Sequence, residues 1–530
     1  MIYVVGSGPS GIACAQKLIA KGARVTMLDA GLQIEDARTM IVRRVQATDR
    51  SSWDRSLLSS YKEGLSVSAK GVKYKTAYGS LFPYKDIAPY RSVYQDVDAC
   101  PSYAQGGFSN VWGASSVTYA AEDLKSWPVT PEQLKQYYDE VFSFMPVAGS
   151  HAIPGISERA GVSAFDELKM SRQVLALNHR IQNLSVQPGV AGFFSGGSRL
   201  AVGPCRNDAS EKECVYCGLC MYGCPYSLIY NSSSTLEDLK RNKNFKYAAG
   251  IFVENLKETG GEVLITIREL STGHSRILPA EKVYLGSGVL SSARILLRSY
   301  DAYDKPIFCL DSQYFLLPLI SSWATKNAAR EEVHTLAQLC LRIKKSSSDQ
   351  ASFLQIYGYN DLYQRALRSL FGFSYPVFQG FFNMLLERLF LVQGYLHSDY
   401  SSKIKIELKR NAGGSDELFL EGVRNMKTSA VLNDVLRVLK SMGRKTGVFP
   451  VTPRLDRCRP GRGYHSGGTF PMCAVPRFGE SDLWGRPHGF KNVHLVDASV
   501  FPTIPAGPIT VNVMANASRI ADQSFQGTEG

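Results

Sequence analysis

The sequence predicts an α/β fold that opens on a Rossmann-like unit. Three consecutive features carry this expectation. Residues 2–5 (Ile-Tyr-Val-Val) form a short apolar run, the shape of a buried strand. Gly6-Ser7-Gly8-Pro9-Ser10-Gly11 follows, and an amphipathic stretch continues to about residue 21. A second strand at 23–28 then runs into Asp29. Strand, glycine loop, helix and strand in this order make a dinucleotide-binding βαβ unit.

Each residue of the loop has a physical task. Gly6 permits the tight strand-to-helix turn, Gly8 lets backbone approach a pyrophosphate, and Gly11 lets helix and strand pack closely. Ser10 lies in the first turn of the helix, whose free N–H groups favour an anion. Asp29 stands about twenty residues beyond the first glycine, where an acid can take ribose hydroxyls. The motif alone does not choose FAD over NAD.

Further along, residues 35–75 read as polar and irregular. Residues 105–118 form a loop rich in Gly, Ser and aromatics. Residues 130–144 read as a helix capped by Thr130, with Pro146 just beyond its end. Residues 147–201 show little pattern, and 205–231 hold a cysteine segment. Alternating strands and then a helix occupy 247–297. The stretch 300–455 is the least legible, with a strand at 403–408. The last portion returns to Gly/Pro-rich loops, a strand at 493–496 and a helix from about Thr510. No internal repeat or low-complexity tract is present.

The chain has 530 residues, enough for two to four structural units on the usual ~100–200 residues per domain. Hydrophobic residues make up 44% and charged residues 20%, the balance of a globular protein. The formal net charge of +13 favours an anionic partner such as a membrane surface, a phosphorylated substrate or an acidic redox protein. No basic patch interleaved with aromatics and no zinc-finger spacing speaks for nucleic acid. Met1 leads at once into a strand, with no signal peptide, so a cytoplasmic protein is expected, peripheral at the inner face of the membrane at most. Residues 369–396 are rich in Phe, Leu and Tyr. They fit either an amphipathic segment on a membrane or a buried helix, and the buried helix is favoured.

The chain has eleven cysteines, and four of them fall in Cys214-x-x-Cys217-x-x-Cys220-x-x-x-Cys224-Pro225. In a reducing compartment such a cluster reads as metal binding rather than disulfides. The spacing is that of a ferredoxin loop, in which short gaps place several thiolates on one concave surface. Zinc usually takes two close pairs separated by a longer insert, so an iron–sulfur cluster is favoured. A 4Fe–4S cluster is the first expectation. Cys205 could replace Cys224 as fourth ligand, and three ligands alone would suit 3Fe–4S.

Several further blocks together resemble the glucose-methanol-choline (GMC) oxidoreductase family. Gly106-Gly107-Phe108-Ser109-Asn110-Val111-Trp112-Gly113 resembles its flavin-packing loop. Trp127-Pro128-Val129-Thr130 and Tyr137-Tyr138 resemble the block that follows. Val283-Tyr284-Leu285-Gly286-Ser287-Gly288 is similar to the returning strand beside the flavin, and Val253 stands where the family contacts adenine. Tyr464-His465-Ser466-Gly467-Gly468-Thr469 resembles the catalytic histidine block. Val496-Asp497-Ala498-Ser499-Val500-Phe501-Pro502 resembles the closing flavin block. The cysteine run is similar to the branch containing the flavin subunits of bacterial sugar dehydrogenases.

The resemblance implies a Rossmann-like FAD-binding domain, discontinuous in sequence, plus an α+β substrate domain with an antiparallel sheet. The implied boundaries are 1–300, 301–455 and 456–530. It implies FAD held by Gly6, Gly8, Ser10, Gly11, Asp29, Gly107, Ser109, Asn110, Trp112, Val253, Gly288, Asp497 and Ala498. It makes His465 the base for alcohol oxidation. The family's second catalytic His or Asn is missing: the matching site reads Ala506-Gly507-Pro508-Ile509-Thr510. Asn512 and His397 are the candidates for that role. The expected activity is oxidation of a sugar or glycoside hydroxyl, with electrons leaving through the cluster to a cytochrome, quinone or other carrier. A redox-neutral sugar epimerase and an electron-transfer subunit without its own substrate are the alternatives.

Overall fold

The computed structural model describes residues 1–63, 75–87, 90–149, 167–185, 193–203, 213–344, 349–410 and 416–525. The N-terminal unit forms as its pattern requires. Strand Ile2–Val5, helix Pro9–Ala20 and strand Val25–Leu28 follow one another. Pro9 sits at the first helical turn, where its missing N–H costs nothing. The strands join a five-stranded parallel sheet in the order 493–495, 282–285, 2–5, 25–28, 245–248. One of its edges therefore comes from the far end of the chain. The last helix, Thr510–Ser524, packs back against helix Pro9–Ala20, and Ser518 Oγ reaches the Ala13 carbonyl. A three-stranded antiparallel sheet (251–259, 262–269, 275–280) is inserted before strand Lys282–Leu285.

A second, antiparallel sheet runs in the order 448–450, 314–321, 389–395, 352–357, 339–343, 193–197, with 456–457 paired to its second strand. Strand Phe193–Gly197 joins it from before residue 300. Period-2 alternation divides the two faces of this sheet. Phe315, Leu317, Leu354, Ile356, Phe390 and Val392 pack on helices Arg172–Ser185 and Thr428–Thr446. The opposite face presents Tyr314, Phe353, Gln355, Tyr357, Gln393 and Tyr395 toward the parallel-sheet unit. A further five-stranded sheet, in the order 466–467, 307–311, 403–410, 416–423, 92–95, shares the core of the parallel-sheet unit.

Helix Pro131–Phe144 carries the expected cap. Gln133 N–H donates to Thr130 Oγ1 (3.4 Å), and the Gln133 side chain accepts from Thr130 N–H (2.9 Å). Two expectations change. Residues 35–75, read as irregular, contain helices Asp36–Ala47 and Arg55–Tyr61. Their exposed polar faces hid the period: Val45, Leu57 and Tyr61 are buried against Leu219 and Tyr222. The stretch 369–396, favoured as a buried helix, holds the end of helix Asp361–Phe371 and helix Gln379–Leu386, with largely exposed apolar side chains, followed by strand Leu389–Tyr395. Among the described residues, no helix is long and apolar enough to cross a membrane.

Candidate active site

Two cavities of about 240 Å³ each meet where the parallel-sheet unit faces the antiparallel sheet. Pro9, Phe108, Tyr464, Ile509 and Thr510 line both, so the two cavities are neighbours.

The first cavity runs along the carboxyl ends of the parallel strands, where open α/β sheets bind nucleotides. Gly6, Gly8, Ser10 and Asp29 line it from the βαβ unit. Gly107, Val253, Gly288, Asp497 and Ala498 line it from distant parts of the chain. A Cβ on Gly8 would meet no atom within 4 Å, so the space over this glycine is open to a ligand. A Cβ on Gly11 would lie 2.0 Å from the Gly6 carbonyl oxygen, so this glycine serves packing and does not line the cavity. The Gly106–Gly107 turn (φ +81° and +55°) closes over the loop, fixed by Gly106 N–H donating to Ser7 Oγ (2.9 Å).

Asp29 is nearly buried and accepts from Ser7 Oγ and from Tyr247 O–H (2.9 Å). Burial outweighs these bonds and raises its carboxyl to about 6. Asp497 accepts from Gly288 N–H (3.0 Å) and from Ser499 N–H (2.9 Å), tying the closing block to the returning strand. Two further groups, unnoticed in the sequence, suit a polar ligand. Ser291 Oγ and Arg294 Nη1 are buried on this cavity without hydrogen-bond partners. Arg294 also donates to the Arg91 carbonyl (2.7 Å). An open glycine cradle, a helix N-terminus, an acid and orphaned donors fit an adenine dinucleotide.

Ser109, Asn110 and Trp112 are placed differently. Ser109 Oγ donates to the Gly106 carbonyl (2.6 Å). Asn110 Nδ2 donates to the Gly107 carbonyl (2.7 Å), and Trp112 Nε1 to the Tyr230 carbonyl (2.8 Å). These side chains hold the loop in shape. Ser109 and Trp112 line the second cavity, and Asn110 lines neither.

The second cavity is aromatic with a few polar groups. Tyr357 O–H donates to Gln355 Oε1 (3.1 Å), and Gln393 stands beside it on the neighbouring strand. His465 lines this cavity. The Tyr395 ring stacks on it with centroids 4.5 Å apart, and the His465 carbonyl accepts from Ser312 N–H (3.0 Å). Its Nδ1 is buried without a partner. Burial pushes its pKa down to about 4, so the ring is neutral near pH 7.

The candidates for a second catalytic group lie elsewhere. Asn512 Oδ1 accepts from Tyr119 N–H (2.9 Å) and Tyr138 O–H (2.7 Å), while its amide donates to the Val117 and Pro508 carbonyls (3.0 Å each). All of that side chain is engaged by these partners, and it lines neither cavity. His397 caps a short turn, its Nδ1 accepting from Asp399 N–H (3.2 Å), and it lines neither cavity. Thr510 lines both cavities.

The cysteine loop touches the second cavity through Met221. Lys75, which sequence reasoning missed, lines the same cavity and donates to the Trp112 carbonyl (2.6 Å). Desolvation lowers its pKa to about 8, against the opposing fields of Cys220 and Cys224. Cys214, Cys217, Cys220 and Cys224 are all part-buried free thiols. Burial, joined by the field of Cys220, raises Cys217 to about 11 and Cys224 to about 12. Gly218 and Gly223 adopt positive φ, and Tyr61 O–H donates to the Gly223 carbonyl (3.0 Å). Even so, no three His, Cys, Asp or Glu among the described residues form a group that could hold a metal ion. Cys205 lies outside the described residues.

Residues 427–517 match the family model described as GMC oxidoreductase. A segment of 64 residues is 36% identical to the oxygen-dependent choline dehydrogenase of Chromohalobacter salexigens, spanning 11% of this chain and 12% of that protein. The structure of pyridoxine 4-oxidase from Mesorbium loti superposes over 98% of both chains, with a TM-score of 0.60 at 15% identity. The last likeness establishes the fold. The first supports the GMC oxidoreductase family over residues 427–517, and the second adds a short matching segment.

Proposed function

We propose that this chain is an FAD-dependent oxidoreductase of the GMC type that oxidises a CH–OH group, with a sugar or glycoside as its substrate. The observation that carries the reading is the adjacency of the two cavities. A glycine-lined groove and an aromatic chamber lined by His465 lie side by side, sharing Phe108, Tyr464 and Thr510. FAD, when bound, supplies the acceptor for the hydrogen leaving carbon.

The side chains provide the rest. His465, neutral because it is desolvated, is free to take the hydroxyl proton at a ring nitrogen. The stacked Tyr395 holds its ring plane. Gln355 and Gln393 offer amide groups to hydroxyls, and Trp112, Tyr357 and Tyr464 offer faces for a sugar ring and exclude water.

An iron–sulfur cluster on Cys214, Cys217, Cys220 and Cys224 belongs to the same proposal. It is supported by the ferredoxin-like spacing. The described side chains do not close into a metal site, so the arrangement does not yet fit the group. The proposed external acceptor is a cytochrome, quinone or other carrier.

Anaerobic mixing with a panel of sugars and alkyl glycosides tests the activity. At least one should bleach the flavin absorbance. His465→Ala should retain FAD and slow that bleaching by roughly 10²–10⁴-fold, the range of a lost general base. Bleaching at the wild-type rate in that variant removes His465 from the chemistry. Iron and acid-labile sulfide in the same anaerobic preparation decide the cluster: about four irons per chain indicate 4Fe–4S, about three indicate 3Fe–4S, and none removes it.

A further inference from the structure

Beyond Tyr357 the chain leaves the antiparallel sheet as two short helices, Asp361–Phe371 and Gln379–Leu386, joined through a turn at Gly372–Ser374. Leu362 and Tyr363, in the first turn, are buried and line the aromatic chamber. Farther out the apolar side chains face water. Leu370 is 75% exposed, Val377 80% and Phe373 104%, and Phe378, Phe381 and Met384 are about half exposed. The tip is nevertheless a built structure. Tyr375 stacks on Phe382 (5.1 Å, 11° between planes), and Phe371 packs on the same ring at 4.7 Å. This small inner cluster turns the remaining apolar side chains outward. Apolar side chains gathered in this way on a monomer mark an interaction site.

Charge identifies the occupant. Between Asp361 and Glu387 the charged residues are Arg365 and Arg368, and there is no carboxylate. Asp361, at the base, is neutralised by Lys62 at 2.6 Å. Arg368 sits over the Tyr375 ring (5.2 Å), close to the apolar tip. The whole chain carries +13. Helices of 11 and 8 residues cannot span a bilayer, which needs about 20. Aromatic and aliphatic side chains beside Arg368 suit an interfacial seat, where apolar burial and attraction to anionic lipid act together. A second copy docked through the same patch would bring its own Arg368 toward this one.

We propose that residues 361–386 seat the protein on an anionic lipid bilayer, with the apolar tip in the boundary between headgroups and acyl chains. The helix whose first turn forms part of the chamber wall then points its far end into the membrane.

The test is flotation of the full-length protein with vesicles of phosphatidylcholine alone and with vesicles that also contain phosphatidylglycerol. The protein should float with the anionic vesicles at least about tenfold more strongly than with the neutral ones, and high salt should weaken that binding. Replacing the exposed residues together (Phe373→Ser, Val377→Ser, Phe378→Ser) should lower binding at least about tenfold without moving the thermal unfolding midpoint. Arg368→Glu should weaken binding to the anionic vesicles alone. Wild-type protein that stays unbound with both vesicles overturns the proposal, as does a triple variant that floats like wild type. A stable dimer in sedimentation velocity that the triple variant converts to monomer assigns the tip to self-association and also overturns it.

Discussion

Gly8 and Gly11 stand one helical turn apart in the same loop, yet their surroundings differ. A side chain on Gly11 would strike the Gly6 carbonyl at 2.0 Å, a contact between two backbones that cannot separate without moving the helix off its strand. A side chain on Gly8 would meet nothing within 4 Å. Its backbone is already extended (φ −64°, ψ 173°), so alanine is tolerated there by the chain itself. Gly8→Ala is therefore expected to leave the cofactor-free protein within about 2 °C of its unfolding midpoint, a shift below ~1 kcal/mol for a chain of this size. The added methyl occupies the space proposed for the pyrophosphate, so FAD affinity should fall at least about tenfold, read by flavin fluorescence on titration. Equal affinities in the two proteins would mean that the dinucleotide lies elsewhere. At this scale the loop was legible because its residue types are dictated by local backbone geometry. Lys75, Ser291 and Arg294 were not, because their importance comes from what the folded chain brings near them. The partners of Asn512 were hidden for a related reason: its position near the missing family residue suggested catalysis, while in the fold Tyr119, Tyr138, Val117 and Pro508 engage its whole amide.

At the scale of elements, the antiparallel sheet owes its two faces to alternation, and Gly394 shows how closely they are fitted. Its Cβ would lie 2.0 Å from Phe315 Cζ, on the register-paired residue of the next strand. Phe315 is fully buried against the two covering helices and has no open side to turn to. Gly394→Ala should cost about 1–3 kcal/mol in urea unfolding, the range for overpacking a filled core. The double variant Gly394→Ala with Phe315→Leu should recover part of that loss, and additive losses would show that the two positions do not share the space. This sheet was largely hidden in the sequence. Strands 314–321 and 389–395 are apolar on both faces, because one packs on helices and the other on the chamber, so period-2 patterning fades. Strand 403–410 was seen because Lys403, Lys405 and Lys409 alternate with buried Ile404, Ile406 and Leu408. The tip at 369–386 misled for the opposite reason: hydrophobic composition reads as core whether the side chains meet protein or face outward.

At the scale of the whole molecule, the chain returns to its start before it ends. Strand Val493–Leu495 completes the edge of the parallel sheet, and helix Thr510–Ser524 covers helix Pro9–Ala20. Val511, Met514 and Ile520 in that helix have no exposed surface, and Val513 has 9%. Burying four such side chains contributes roughly 6–12 kcal/mol at about 1.5–3 kcal/mol each. That is comparable to the whole stability of an ordinary protein, about 5–15 kcal/mol. Ion pairs add a polar clasp at the same seam: Asp522 meets Lys21 at 2.9 Å and Lys17 at 3.4 Å, and accepts from Tyr137 O–H at 2.8 Å. These pairs are partly exposed and contribute little beside the apolar seam. A chain ending at residue 489 keeps the glycine loop, Asp29 and the cysteine run but loses the sheet edge, Asp497 and the covering helix. It is expected to show no cooperative unfolding transition and no FAD binding, although most of the nucleotide motif is intact. Supplying residues 490–530 as a separate chain by co-expression should restore both, because the seam is held by burial rather than by chain connectivity. A truncated protein that unfolds cooperatively and binds FAD unaided would show that residues 1–489 fold and hold the nucleotide without the returning segment.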